Sequence, residues 1–299
     1  MTWVSVTLFC ALTVAMLDVL CKRAANYYGI IFVSWIRFAG GFVFLSFLFF
    51  FIEIPKLSPD FFSVVAILVP IEISAIILYI NAISISPLSA TLPFLAFTPL
   101  FVTVTGYLVL GETISLFGLA GIALIVIGAY LINIHTIKGG IMRPLVSIYR
   151  ERGSLVMLGV ALLYSMTSVL GKKAILLSSV AFFGPFYVGV LSVAMIPIVL
   201  FSWRKRKKGG KKVEKEEGHI IFRRHFIIAL IGIVAAMSYL AHFTAVSMTN
   251  VAYMIAVKRT SLLFGIVFGG LFFEEKYIIT RLLGGAIMVS GSCLIIFSQ

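Results

Sequence analysis

The sequence is dominated by about ten long apolar runs that are separated by short polar breaks. A transmembrane helix needs about 20 apolar residues, whereas a membrane β-barrel shows segments of about ten residues with alternating polarity. Hydrophobic residues make up 61% of the chain, more than the roughly one half found in soluble domains. We therefore predict an all-α membrane protein with about ten transmembrane helices, in the runs 3–21, 30–52, 61–83, 88–110, 114–134, 154–176, 180–202, 226–248, 251–272 and 278–297.

The two halves of the chain share sequence motifs at constant offsets. The motif L-C-K-R-A, which starts at Leu20, returns as L-G-K-K-A at Leu170. A later block is repeated at an offset of 163 residues, and an insertion in the second half accounts for the change of offset. This block aligns the segment from Asn81 with that from Thr244, and aligns Glu112, Gly121 and Gly128 with Glu275, Gly284 and Gly291.

Each half contains five predicted spans. Because five is odd, the two halves must cross the membrane in opposite directions, an arrangement typical of secondary transporters. We divide the chain into a first repeat at 1–134, a connector at 135–153 and a second repeat at 154–299 with a basic insertion at 203–225.

A recognisable motif runs from the first half of the ninth span to just beyond its end. It reads K-R-T-S-x-L-F-x-x-x-x-G-x-x-F-x-E-E from Lys258, followed by Gly284 and Gly291, and the first half has G-E-T-I-S with Gly121 and Gly128. This pattern resembles EamA-domain proteins of the drug/metabolite transporter superfamily. The resemblance implies two five-helix repeats and a transport function. It leaves the substrate open, since that superfamily includes exporters of amino acids and drugs, sugar-phosphate antiporters and nucleotide-sugar carriers.

Lys258 and Arg259 lie about a third of the way along the ninth span. Charges in hydrocarbon cost roughly 2.5–3.5 kcal/mol each on insertion scales, so such residues face protein or a water-filled cavity, or snorkel to the headgroups from near a helix end. The pair also resembles the one that holds phosphate in sugar-phosphate translocators. The repeat-equivalent residues in the fourth span are Leu95 and Ala96, which supply no matching cation.

Other polar residues within the spans complete the candidate site. Tyr79 and His242 are equivalent by the 163-residue offset, which favours opposite walls of one cavity. The predicted substrate-binding residues are Lys258, Arg259, His242, Tyr239, Tyr253, Tyr79 and Asn81. Candidates for proton coupling or a structural ion pair are Glu72, Asp18 and Arg37.

The sequence favours transport over catalysis. The four histidines, at 135, 219, 225 and 242, are scattered, and no H-E-x-x-H, clustered cysteines or phosphate-binding glycine loop occurs. We therefore expect no enzyme activity, no cofactor and no metal site.

The charge distribution predicts partners and topology. Ten of the 24 Lys and Arg residues lie at 203–225, which favours contact with acidic lipid over nucleic acid. Eighteen lie in connectors on one side of the membrane and three on the other. The positive-inside rule then places both termini outside the cytoplasm. The family resemblance implies the opposite orientation.

The function predicted from these features is secondary-active transport of a small polar metabolite that bears a carboxylate or phosphate. An exporter of amino acids or drug-like compounds is an alternative. A receptor or scaffold that binds acidic lipid through 203–225 is an alternative from another class. We expect a multi-pass protein of the plasma membrane, as a monomer or homodimer.

Overall fold

The computed structural model describes residues 2–86, 91–132, 152–208, 218–273 and 278–297, and the regular structure in these ranges is entirely helical. The α-helices within these ranges are α1 Trp3–Tyr28, α2 Ile30–Leu45, α3 Pro59–Ile85, α4 Thr98–Leu110, α5 Leu116–Ile132, α6 Arg152–Leu176, α7 Val180–Ala194, α8 Ile196–Lys208, α9 Gly218–Met248, α10 Val251–Lys258, α11 Ser261–Phe273 and α12 Ile278–Phe297. A 3₁₀ segment, Ser46–Phe50, extends α2, and another, Leu92–Phe97, precedes α4.

These helices account for the predicted spans. Six helical segments in the described ranges are long and apolar enough to cross a membrane, and Phe94–Leu110, Leu116–Leu131 and Gly284–Phe297 are shorter apolar helices. Large apolar side chains lie on the outside, such as Phe51 at 84% and Leu116 at 82% exposure. Such a surface suits hydrocarbon better than water.

The seventh and the ninth predicted spans each consist of two consecutive α-helices instead of one continuous helix. The seventh span breaks between α7 and α8, where Pro197 follows and cannot donate a backbone hydrogen bond. The ninth breaks at Arg259 and Thr260, without a proline. The amide of Thr260 donates to Val257 O at 3.0 Å, an i to i−3 bond that tightens the end of α10.

The fourth span breaks at the position equivalent to the break in the ninth. α4 starts at Thr98 and α11 starts at Ser261, which are 163 residues apart. The segment before α4 is 3₁₀ rather than α-helical. The repeat in the sequence is therefore matched by the positions at which α4 and α11 begin, although the segments before them differ in helix type.

Helix packing relates the two halves by an approximate two-fold axis. α1 packs along α9 and α3 packs along α6, and by the repeat α1 corresponds to α6 and α3 to α9. At the contact of α5 with α12, a Cβ on Gly121 would lie 2.7 Å from Gly291 O, and one on Gly128 would lie 2.6 Å from Gly284 O. Because Gly121 corresponds to Gly284 and Gly128 to Gly291, the two contacts exchange under the two-fold, and α5 and α12 must run antiparallel. This agrees with inverted repeats.

Candidate functional site

The break in the ninth span positions Lys258 and Arg259 beside a central cavity, which both side chains line. Lys258 is the last residue of α10, and its Nζ lies 3.3 Å from His242 Nδ1 on α9. Arg259 is only 5% exposed, which is incompatible with snorkelling to the surface. Its Nε is buried and, among the described residues, has no hydrogen-bond partner.

Arg37 on α2 contributes a third cation to the same cavity. It is 9% exposed, and its guanidinium carbon lies 5.8 Å from the centre of the Tyr79 ring, within the range of cation–π contacts. Its Nε and Nη1 have no hydrogen-bond partner in the described ranges. The first half of the chain therefore contributes its cation from α2 instead of from the fourth span. Leu95, the repeat equivalent of Lys258, lines the cavity as an apolar side chain.

Tyr79 connects the cavity to a buried carboxylate. Its ring lines the cavity, and its hydroxyl donates to Asp18 Oδ1 at 2.5 Å. Asp18 is 4% exposed and is not among the lining residues. Glu72, in contrast, lines the cavity directly.

The remaining lining residues are aromatic, hydroxyl-bearing or apolar. Tyr239 lies in the lining as predicted, with its hydroxyl unpaired among the described residues. Tyr164, Thr167 and Ser168 on α6 and Tyr187 on α7 also line the cavity but were not predicted. Tyrosines inside apolar spans were the signal that could have identified Tyr164 and Tyr187.

The cavity is small and rich in positive charge. Its volume is about 90 Å³, below the roughly 300–1,000 Å³ of pockets that enclose drug-sized ligands. Within the described ranges the ion pair found is Lys172 with Glu112, outside the cavity. The three cavity cations therefore have no described carboxylate within ion-pair distance.

Two predicted substrate-binding residues do not reach this cavity. Tyr253 is five residues before Lys258, a rotation of about 140° around a helix, so it faces the connection between α4 and α5. There its Oη accepts from the Ser115 amide at 3.0 Å. Asn81 is two residues after Tyr79 and points away from it, into a groove beside Tyr28 and Trp203.

A cluster of polar contacts joins three parts of the chain at the start of α10. Lys172 Nζ donates to Glu112 Oε1 at 2.5 Å and to Thr249 O at 2.7 Å. The Val251 amide donates to Glu112 Oε2 at 2.9 Å. We call Glu112, Lys172 and the Thr249–Val251 backbone the end latch. At the opposite end, Lys22, the repeat equivalent of Lys172, donates to the Ser86 carbonyl at 3.0 Å.

The described residues contain no group of three or more His, Cys, Asp and Glu side chains arranged to hold a metal ion. Residues 135–151 of the connector and most of the side chains of 203–225 lie outside what the structure describes. The predicted lipid contact of that insertion therefore stays a prediction.

Comparison with known proteins agrees with this architecture. The model of the EamA-like transporter family matches residues 1–134 and 151–297. No curated protein matches the chain. One solved structure, titled only as the crystal structure of a protein, superposes over 98% of both chains with a TM-score of 0.70 at 12% identity, which shows a shared fold alone. The chain therefore belongs to the EamA-like transporter family and is a multi-pass membrane transporter, not an enzyme.

Proposed function

We propose that this transporter carries a small organic anion, with a carboxylate or phosphate group, through the central cavity. The observation that supports the proposal is that Arg37, Lys258 and Arg259 surround one cavity without an ion-pair partner among the described residues. Buried charges are costly unless they are paired, so an anionic ligand would complete the site.

The cations and their neighbours have complementary roles in this proposal. Arg37 and Arg259 present unpaired guanidinium donors, which suit bidentate contacts to carboxylate or phosphate. Lys258 adds a point charge and lies against His242, which orients it. The Tyr239 hydroxyl supplies a further donor to the ligand, and Glu72 or Asp18 is a candidate site for a coupled proton.

Transport in this proposal follows alternating access between the two halves. A cavity of about 90 Å³ is too small for most metabolites, so the helices around it have to separate when the substrate enters or leaves. The end latch joins the connection after α4, the end of α6 and the start of α10, which places it to control one of the two openings. The proposed location is the plasma membrane, and a single chain supplies the whole cavity, so a monomer or a homodimer can act.

A zwitterionic amino acid is a second candidate substrate, because Glu72 lines the cavity together with the cations. The Glu72 carboxylate can accept hydrogen bonds from the ammonium group of an amino acid, while the cavity cations contact the carboxylate of the same amino acid. Such a substrate uses Glu72 and the cations together, whereas a simple anion does not require Glu72.

Ligand-dependent thermal unfolding of the purified protein in detergent tests the proposal. Phosphate esters, dicarboxylates and amino acids are compared, since a ligand at about 100 times its Kd stabilises the native state by about 2.7 kcal/mol. We expect stabilisation by anions that is lost in Arg37→Gln and Lys258→Gln and retained in Lys173→Gln, which removes a cation outside the cavity.

The responses of the variants separate the candidates. If amino acids are the ligands that stabilise the native protein, and Glu72→Gln also loses this stabilisation, the result favours a zwitterionic substrate. Equal stabilisation by anions in the native protein and in both cavity variants would contradict the anion proposal. Flux of the stabilising ligand into proteoliposomes then tests transport itself.

A further inference from the structure

A second, larger cavity lies at the outer surface of the helices and shares no lining residue with the central cavity. It runs between the junction of α1 and α2, the last turns of α3, and α8, and its volume is about 850 Å³. Leu78, Leu200 and Trp203 in its wall are 37%, 48% and 63% exposed, so the cavity opens to the surroundings of the protein. We call it the α3–α8 groove; its lining is Tyr28, Gly29, Ile30, Ile31, Phe32, Ile77, Leu78, Asn81, Val199, Leu200, Ser202 and Trp203.

Asn81 is a polar group in this mainly apolar groove. It lies about one helical turn before α3 ends at Ile85, which places it near the boundary between hydrocarbon and headgroups. Among the described residues no hydrogen bond involves its side-chain amide, and α3 uses only its backbone. An amide at this depth requires a partner, since an unpaired polar group in an apolar medium costs free energy.

Positive charge begins where the groove ends. α8 continues from Trp203 into Arg204, which is exposed, and residues 204–208 read R-K-R-K-K. Basic clusters directly beside the end of a transmembrane helix attract acidic headgroups. The apolar wall, the amide and the cation thus follow one another in the order of acyl chain, glycerol ester and phosphate in a phospholipid.

We infer that the α3–α8 groove binds one acidic phospholipid. An acyl chain lies along Ile77 and Leu200, an ester carbonyl accepts from the Asn81 amide, and the phosphate lies at Arg204. This inference does not depend on the transported substrate, and it assigns to Asn81 a role outside the central cavity.

Fluorescence quenching of Trp203 by brominated lipids tests the inference directly. The chain has three tryptophans, so Trp3→Phe with Trp35→Phe leaves Trp203 alone in the full-length protein. The reporter protein is placed in phosphatidylcholine bilayers that contain either brominated phosphatidylglycerol or brominated phosphatidylcholine. A matched protein that retains only Trp3, at the start of α1, is the control.

We expect the brominated phosphatidylglycerol to associate at Trp203 about fivefold more strongly than brominated phosphatidylcholine, the effect of one basic residue at a membrane surface. At Trp3 the two lipids should quench equally. Arg204→Gln should remove the preference at Trp203, whereas Lys56→Gln, an exposed cation in the connection before α3, should not. Asn81→Leu should lower quenching by both lipids.

Equal quenching by the two lipids at Trp203 of the reporter protein overturns the acidic-lipid assignment. Weak quenching by both overturns lipid occupancy and indicates that protein, such as a second copy of the chain, covers the groove. An unchanged preference in Arg204→Gln together with unchanged quenching in Asn81→Leu, in protein that still unfolds cooperatively, overturns the assigned contacts.

Discussion

At the scale of single residues, the Tyr79 hydroxyl donates the hydrogen bond that the structure describes to the buried Asp18 carboxylate. Its bond to Asp18 Oδ1 is 2.5 Å long, and Asp18 lies behind the cavity wall rather than in it. The bond therefore fixes the orientation of the Tyr79 ring, over which Arg37 lies. Asp18 acts on the cavity through Tyr79.

Replacement of Tyr79 should destabilise the protein. In Tyr79→Phe the Asp18 carboxylate loses its described donor, and leaving a buried acceptor unpaired costs about 1–3 kcal/mol. Thermal unfolding in detergent measures the change. Tyr107→Phe, at a position 60% exposed, is the control and should differ by less than about 0.5 kcal/mol. Equal stability of Tyr79→Phe and the native protein would show that Asp18 has another partner.

At the scale of helices, glycine allows α5 and α12 to approach closely. A methyl group on Gly121 would lie 2.7 Å from Gly291 O, closer than van der Waals contact allows. The contact involves backbone, which cannot move aside as a flexible side chain can. Close approach through small residues is a common basis of helix association in membranes.

We expect Gly121→Ala to lower the free energy of unfolding by roughly 1–3 kcal/mol, the usual cost of overpacking. Gly159→Ala is the matched control, because it lies within α6 and a Cβ there meets nothing within 4 Å. That control should be neutral or more stable by up to about 1 kcal/mol, since alanine favours helix. Thermal unfolding of both variants measures these changes. If Gly121→Ala leaves the free energy of unfolding unchanged, α5 and α12 lie further apart than in the structure.

The end latch connects three elements and should govern access to the cavity from its end. Loss of the ion pair in Glu112→Gln or Lys172→Met should increase the fraction of time in which the cavity is open to solvent. A change of about 1.4 kcal/mol in the free energy of opening corresponds to a tenfold change in this accessibility. The labelling rate of Ser168→Cys, a lining position, by a polar thiol reagent measures this in a chain without native cysteines.

Lys173→Met provides the control for the latch, because it removes the neighbouring cation and leaves the Lys172–Glu112 pair intact. The labelling rate should stay unchanged in this variant. If Glu112→Gln and Lys172→Met also leave the rate unchanged, the latch stabilises the fold without limiting access.

At the scale of the whole molecule, the alternation of the spans places the 203–225 insertion on the side opposite both termini. The charge count puts the insertion in the cytoplasm and the termini outside, while the family resemblance implies the reverse. The symmetry of the fold is compatible with either orientation, because a two-fold axis within the membrane plane exchanges the two sides.

We expect the charge rule to hold. In intact cells, Lys56→Cys should then react with a membrane-impermeant thiol reagent, and Arg204→Cys should react only after permeabilisation, with the native cysteines replaced. Both positions are exposed in the structure. The reverse labelling pattern would show that the resemblance predicted the topology correctly and the charge count did not.

The sequence by itself determined the class of the protein and its internal repeat. Apolar runs of bilayer length can adopt few structures other than transmembrane helices, because unpaired backbone groups are excluded from hydrocarbon. The repeat and the odd number of spans in each half then implied inverted halves. The charged pair in the ninth span was also visible, since a charge within an apolar run is costly wherever it occurs.

Only the tertiary structure decided which polar side chains share a cavity. Lys258, Arg259, His242 and Arg37 lie on three different spans, and their meeting depends on helix rotation and on the break after Lys258. Tyr253 and Asn81 are close in sequence to cavity residues but face elsewhere, because a few residues along a helix reverse the direction of a side chain. Which face of each helix is turned toward the cavity depends on how segments that are distant in the sequence pack together. The local sequence of a single span does not specify that packing.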